Sequence, residues 1–178
     1  RFKMFPAYPL ADVPQIKRDL IARGVDVIDL GAGDADLSPP PAALRALQEA
    51  VLNPLMSRYG FQLGLPAYRE AVSAWMQKRF GVTLDPFTEI VPLVGSKEGI
   101  AHLAFCYVEP GDVTIVPDPG YQPYIGGTLL AGGTPYTVPV RPENHFLIPL
   151  RELPLDVVER AKILYLNYPN NPTRAIAP

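Results

Sequence analysis

From Glu89 onward the chain alternates short apolar runs with longer amphipathic ones, and that alternation limits its fold more than any other feature. Glu89–Val94 reads as a strand, Ser96–Tyr107 as a helix and Asp112–Val116 as a second strand. A second helix follows over Gln122–Ala131, a third strand over Thr134–Val140, a short helix over Leu155–Arg160 and a last strand over Lys162–Asn167. Gly111-Asp112, Gly132-Gly133 and Pro142-Glu143-Asn144 supply the breaks. Strands joined through helices imply a mainly parallel sheet with helices on both faces, an α/β fold.

Upstream the pattern is less regular. Arg1 to Pro14 mixes aromatic residues, Met and prolines and reads as an arm laid on another surface. Gln15–Arg23 predicts a short amphipathic helix closed by Gly24, and Val25–Leu30 alternates as a strand does. Ser38 ahead of three prolines signals a helix start, with Leu44, Leu47 and Val51 at helical spacing. Tyr59–Gly64 is a glycine-bearing loop. Pro66 opens a long helix to Phe80 with a stripe of Tyr68, Val72, Trp75, Met76 and Phe80, in which Trp75 reads as core.

The 178 residues suit one domain or a little more, and 48% hydrophobic content supports a real core. The 16 basic and 18 acidic residues leave a net charge of −2 with no basic cluster, which gives nucleic-acid binding no electrostatic support. Cys106 is the single cysteine, so a disulfide framework is excluded and a buried structural thiol is expected. No apolar stretch approaches the roughly 20 residues of a membrane helix, and the first residues lack a signal peptide's long apolar core. A cytoplasmic protein is the simplest expectation.

Chemistry concentrates where strands end. Gly95-Ser96-Lys97-Glu98-Gly99 joins a strand to a helix, where unpaired N–H groups and the helix dipole suit one phosphate. Taken alone these residues read more simply as an N-cap serine. Asp118-Pro119-Gly120-Tyr121 follows the next strand, and Tyr121 could lie against a flat heteroaromatic ring or simply close a turn. Asn167-Tyr168-Pro169-Asn170-Asn171-Pro172-Thr173 ends the last strand and offers the Asn171 amide, though Asn and Pro also make ordinary turns. In open α/β sheets ligands sit outside the carboxyl ends of the strands. His102 lies in an apolar helix and reads as a satisfied core residue, and His145 sits in a polar loop.

Together these segments resemble the fold-type I aminotransferases, which use pyridoxal 5′-phosphate (PLP). Gly31-Ala32-Gly33-Asp34-Ala35-Asp36 is similar to the family's Gly-x-Gly-x-x-Asp, and Asn171-Pro172-Thr173 to its Asn-Pro-Thr-Gly. The similarity runs from Tyr8 to the end. It is nearest to the bacterial-type LL-diaminopimelate aminotransferases through Pro6-Ala7-Tyr8, Gly95 to His102 and Asp118-Pro-Gly-Tyr.

The resemblance implies a PLP-dependent aminotransferase exchanging an amino group between an amino acid and a 2-oxo acid. LL-diaminopimelate with 2-oxoglutarate, in lysine biosynthesis, is the expected pair, and an aspartate- or aromatic-type enzyme is the alternative. By the same resemblance Tyr59, Ser96, Lys97, Tyr121 and Asn171 bind the cofactor, while Tyr8, Gly33, Lys97, Tyr121 and Asn171 line the substrate. Tyr59 would serve the partner subunit of a homodimer. Residues 1–36 would be the arm and a small-domain segment, and 37–178 the first part of the large domain. The resemblance places the PLP-bearing lysine beyond Pro178, so no catalytic residue is expected within this chain, which reads as the front part of an enzyme. It also sets the partners of the Glu89–Val94 strand later in the sequence. A non-catalytic phosphate-ligand-binding or dimerising module is the reading of another class. No metal site is expected. Arg174 departs from the family's glycine, where a turn of positive φ would be strained by a side chain.

Overall fold

Val113–Asp118 (β1) is the strand on which the C-terminal half is assembled. A run of Val, Thr and Ile with every residue but the last buried is what a central parallel strand requires, because it is covered on both faces. In this computed structural model, which describes residue 3, residues 11–58 other than 32, 34 and 36, and residues 64–177, the chain clusters into two units. One spans Ala7–Pro92 and the other is built on Leu93–Pro178.

In the second unit β1 pairs in parallel with Thr134–Pro139 (β2) and Ala161–Leu164 (β3), giving the order β2-β1-β3. The Tyr165 N–H continues the ladder onto Ile115 O at 3.0 Å. Three helices accompany the sheet, the first preceding β1 and the other two joining its strands; in chain order with the helices of the first unit they are Ser96–Tyr107 (α4), Pro123–Ala131 (α5) and Leu155–Arg160 (α6). Val113 and Ile115 pack with Val138, Val140, Ile148 and the α6 residue Val157. Val116 packs with Tyr124 of α5 and Tyr165, and Thr114 beside it bonds the Thr128 hydroxyl at 2.7 Å. Helices α4 and α5 lie close because Gly127 carries no side chain. A Cβ there would stand 2.5 Å from the Ala101 carbonyl oxygen.

The first unit contains Val13–Ala22 (α1), Pro41–Val51 (α2) and Pro66–Phe80 (α3). Gly24 ends α1 at φ +79, with its N–H on Ile21 O and the Val25 N–H on Leu20 O, a Schellman closure as expected. Helix α2 begins at Pro41 with Pro40 in the cap position and no side-chain cap, so the Ser38 start signal is not used. The segment after α3 folds back on it: Ser73 Oγ donates to Leu84 O at 2.6 Å, and Arg69 lies over the Phe87 ring at 5.3 Å.

Several expectations are corrected. Val25–Leu30 and Glu89–Val94 form no strand. Leu30 is 92% and Val94 93% exposed, and no described strand lies beside either segment. A strand is completed only by a neighbour's N–H and C=O groups, so correct alternation without a neighbour leaves extended chain. Trp75 is 54% exposed instead of core, its ring in an edge-to-face pair with Phe80, and the buried residue of α3 is Arg69. Cys106 and His102 lie on the open side of α4, whose only buried residue is Ala104, so neither is a core group.

The turn after β3 confirms the expected strain. Arg174 sits at φ +61, held there by its N–H on Asn170 O at 2.6 Å and by the Asn170 N–H on Ala175 O at 2.9 Å. Arg174→Gly should therefore raise stability by about 0.5–1 kcal/mol in urea unfolding, since a left-handed non-glycine residue costs about 1–2 kcal/mol and glycine returns part of that as unfolded-state entropy. Gly127→Ala should lower stability by about 1–3 kcal/mol, because the added methyl meets backbone. Gly99→Ala should be nearly neutral in the same experiment, because its Cβ meets only the flexible end of Leu93.

Candidate functional site

The parallel register puts the carboxyl ends of β1 and β3 on one edge of the sheet. The chain leaves β1 through Pro119-Gly120 into Tyr121. Gly120 is needed there, since a Cβ would fall 2.2 Å from Pro117 O. The chain leaves β3 through Tyr165 into the Asn170–Ala175 turn. Tyr121 is half-buried, its ring in an edge-to-face pair with Tyr124, centroids 5.8 Å apart.

Helix α4 brings the third element. Gly95 occupies the cap position at φ +82, a conformation side chains disfavour, and a Cβ there would have nothing within 4 Å. The N-cap-serine reading does not hold: Ser96 is the first helical residue and caps nothing. The Glu98 carboxylate instead accepts the Val94 N–H at 2.5 Å, which leaves the Ser96 hydroxyl uncommitted beside the unpaired N–H groups of the first turn. From that turn Lys97 reaches over the Tyr121 ring, its Nζ 5.7 Å from the centroid. The structure thus brings a positive helix end, an ammonium group and an aromatic face together at one sheet edge.

Asn171 is exposed and sits in the turn after β3, at that same edge. The turn itself is built by its neighbour: Asn170 is buried and donates from Nδ2 to Thr173 Oγ1 at 2.8 Å. The adjacent Asn pair was visible in the sequence, but the division of labour between them was not. Gly33 is exposed in the first unit. Tyr8 and Tyr59 lie outside the described residues.

Two further features bear on the edge. Behind Tyr121, Tyr124 stacks on Tyr165 with centroids 4.5 Å apart at 20°. Burial pushes both hydroxyls above the ordinary tyrosine range, so both rings are neutral. A shallow cavity of about 220 Å³ lies between α4 and α5, lined by Lys97, Ala101, Gln122, Gly126 and Leu130 among others. Ser96, Tyr121 and Asn171 do not line it, so the open sheet edge, not this cavity, is the candidate site. Among the described residues no cluster of metal-ligating side chains occurs, and no helix is long and apolar enough to cross a membrane.

Comparisons with known proteins identify the family and the fold. Residues 25–178 match the family model described as aminotransferase class I and II. The chain is 50% identical over 177 residues to the LL-diaminopimelate aminotransferase of Desulforudis audaxviator, covering 99% of this chain and 45% of that protein. The apo structure of BacF from Bacillus subtilis superimposes with a TM-score of 0.89 at 38% identity, over 99% of this chain and 45% of that one. A probable N-succinyldiaminopimelate aminotransferase from Thermus thermophilus gives 0.82 at 41% identity, over 93% of this chain and 45% of its own. The chain therefore spans a little under half the length of the relatives it matches, and its helices and parallel sheet correspond to the N-terminal part of the fold-type I aminotransferase fold. A family match over 25–178, backed by half-identical sequence along nearly its whole length, admits one assignment: this chain belongs to the class I and II aminotransferases.

Proposed function

We propose that this chain is the N-terminal part of a PLP-dependent aminotransferase whose substrates are LL-2,6-diaminopimelate and 2-oxoglutarate. In this reading residues 1–36 form the arm and small-domain segment and 37–178 the first part of the large domain. The observation that carries the cofactor assignment is the approach of Lys97 to the Tyr121 ring at the open N-terminus of α4. It joins a place for a phosphate to a place for a flat ring. The substrate assignment is supported by the names of the relatives at 43–50% identity.

The residues present fit the cofactor. Space is open above Gly95, and the Ser96 hydroxyl with the first N–H groups of α4 offers donors to a phosphate dianion. Lys97 adds positive charge on the same side. Tyr121 offers its ring as a platform against which a pyridine can lie, and the Asn171 amide can donate to the cofactor's phenolate oxygen, favouring its ionised form. When bound, PLP supplies the electron sink for moving an amino group between carbon skeletons, while the protein supplies orientation and electrostatics.

The whole protein is proposed as a cytoplasmic homodimer in which Tyr59 serves the partner's phosphate and Tyr8 and Gly33 meet the substrate. This part of the proposal is supported by the family pattern.

In the full-length protein Ser96→Ala should weaken PLP binding by about 1–3 kcal/mol, the loss typical of a hydrogen bond to a charged group. An unchanged dissociation constant in equilibrium dialysis would remove Ser96 from the phosphate site. Glutamate formation from 2-oxoglutarate should be robust with LL-diaminopimelate and weak with aspartate or tyrosine. The reverse preference would leave an aminotransferase standing and replace the substrate, and a protein that binds PLP without forming glutamate from any amino acid would favour the binding module.

A further inference from the structure

We propose that Tyr124 and Tyr165 are positioning residues for the cofactor ring, acting through Tyr121; this rests on the reading that Tyr121 is the stacking platform. The ring of Tyr121 stands on a loop whose backbone is tied to α5 through the Tyr124 N–H on Tyr121 O at 3.1 Å, which leaves the ring's own tilt to its neighbours. What fixes it is a file of rings. Tyr124, 4% exposed at the first turn of α5, meets the Tyr121 ring edge-to-face at 83°, with the centroids 5.8 Å apart. Behind it Tyr165, 7% exposed, stacks nearly parallel to Tyr124. Tyr165 is in turn tied to the centre of the sheet by its N–H on Ile115 O. The helix side is tied as well, because Thr128 Oγ1 donates to Tyr124 O at 2.7 Å and is bonded to Thr114 of β1. The array therefore runs from the sheet's central ladder to the one ring that faces the open edge, and Lys97 lies over that ring.

The stack is also kept at a cost. Tyr165 Oη is buried without a hydrogen bond of good geometry, and the nearby Thr128 hydroxyl, which gives its proton to Tyr124 O, can offer it only a lone pair. Phenylalanine at 165 would keep the ring and remove that cost, so the ring and not the hydroxyl is the working part. Edge-to-face and offset-stacked pairs favour particular tilts beyond simple burial, so losing a ring loosens the orientation of the next one even where volume is kept.

The test is a double-mutant cycle in the full-length protein, read by the PLP dissociation constant and by the circular dichroism of the bound cofactor. Tyr121→Leu should weaken PLP, and Tyr124→Leu should weaken it roughly threefold to tenfold and change the cofactor's dichroic band. In the Tyr121→Leu background Tyr124→Leu should have no further effect on affinity, because its influence passes through the missing ring. Tyr124→Phe and Tyr165→Phe should restore wild-type affinity and dichroism. Equal losses from Tyr124→Leu in both backgrounds would show a merely structural role and overturn the proposal. If Tyr121→Leu itself leaves PLP affinity unchanged, the stacking reading fails and the proposal falls with it, a result separable from the first. Should Tyr124→Leu not fold, Tyr165→Leu enters the same cycle with the same expectations.

Discussion

The C-terminal unit depends on the burial of β1 from every direction. Its two edges are taken by β2 and β3, one face by the cluster around Val138 and Val157, and the other by α5 through Val116, Tyr124 and the Thr114–Thr128 bond. A strand so enclosed cannot shift register without moving every side chain to the wrong face. That rigidity passes to the groups at its end. Tyr121 follows β1 within a few residues, and α5 begins immediately after it, so the candidate site is built where the best-ordered strand gives way to a helix.

Charge follows from the same arrangement. Parallel strands need helices for their return connections, and each such helix begins near the carboxyl edge of the sheet. Helix α5 is such a connection; α4 precedes β1, and the reach of its Lys97 over Tyr121 puts its first turn at the edge where Tyr121 and Asn171 are also found. Glu98, the acidic residue of that first turn, does not bond the helix's own N–H groups. It turns back to the Val94 N–H and steadies the loop that precedes the helix.

What the sequence disclosed follows the reach of each interaction. Pro66–Phe80, Ser96–Tyr107 and Leu155–Arg160 were legible to the residue, because a helix satisfies its own backbone and announces itself by period and by proline or glycine at its ends. Val25–Leu30 and Glu89–Val94 carry the pattern of strands yet pair with none among the described residues, since pairing depends on what lies alongside. Trp75 and Cys106 read as core for the same insufficient reason: apolar periodicity shows which face seeks cover, not whether cover is present. Ser96, Lys97, Tyr121 and Asn171 were legible as types at strand ends, and the structure adds the contact between Lys97 and Tyr121. The tyrosine file behind them was hidden, because positions 121, 124 and 165 become neighbours only through the sheet.

Hydrogen–deuterium exchange on the full-length protein, with and without PLP, tests most directly whether this edge is the cofactor site. Protection on adding PLP should concentrate in the amides of residues 95–98, in the loop around Tyr121 and in the turn of Asn170 to Arg174, with β1 already slow in both states. Protection that spares these segments and appears elsewhere would contradict the account.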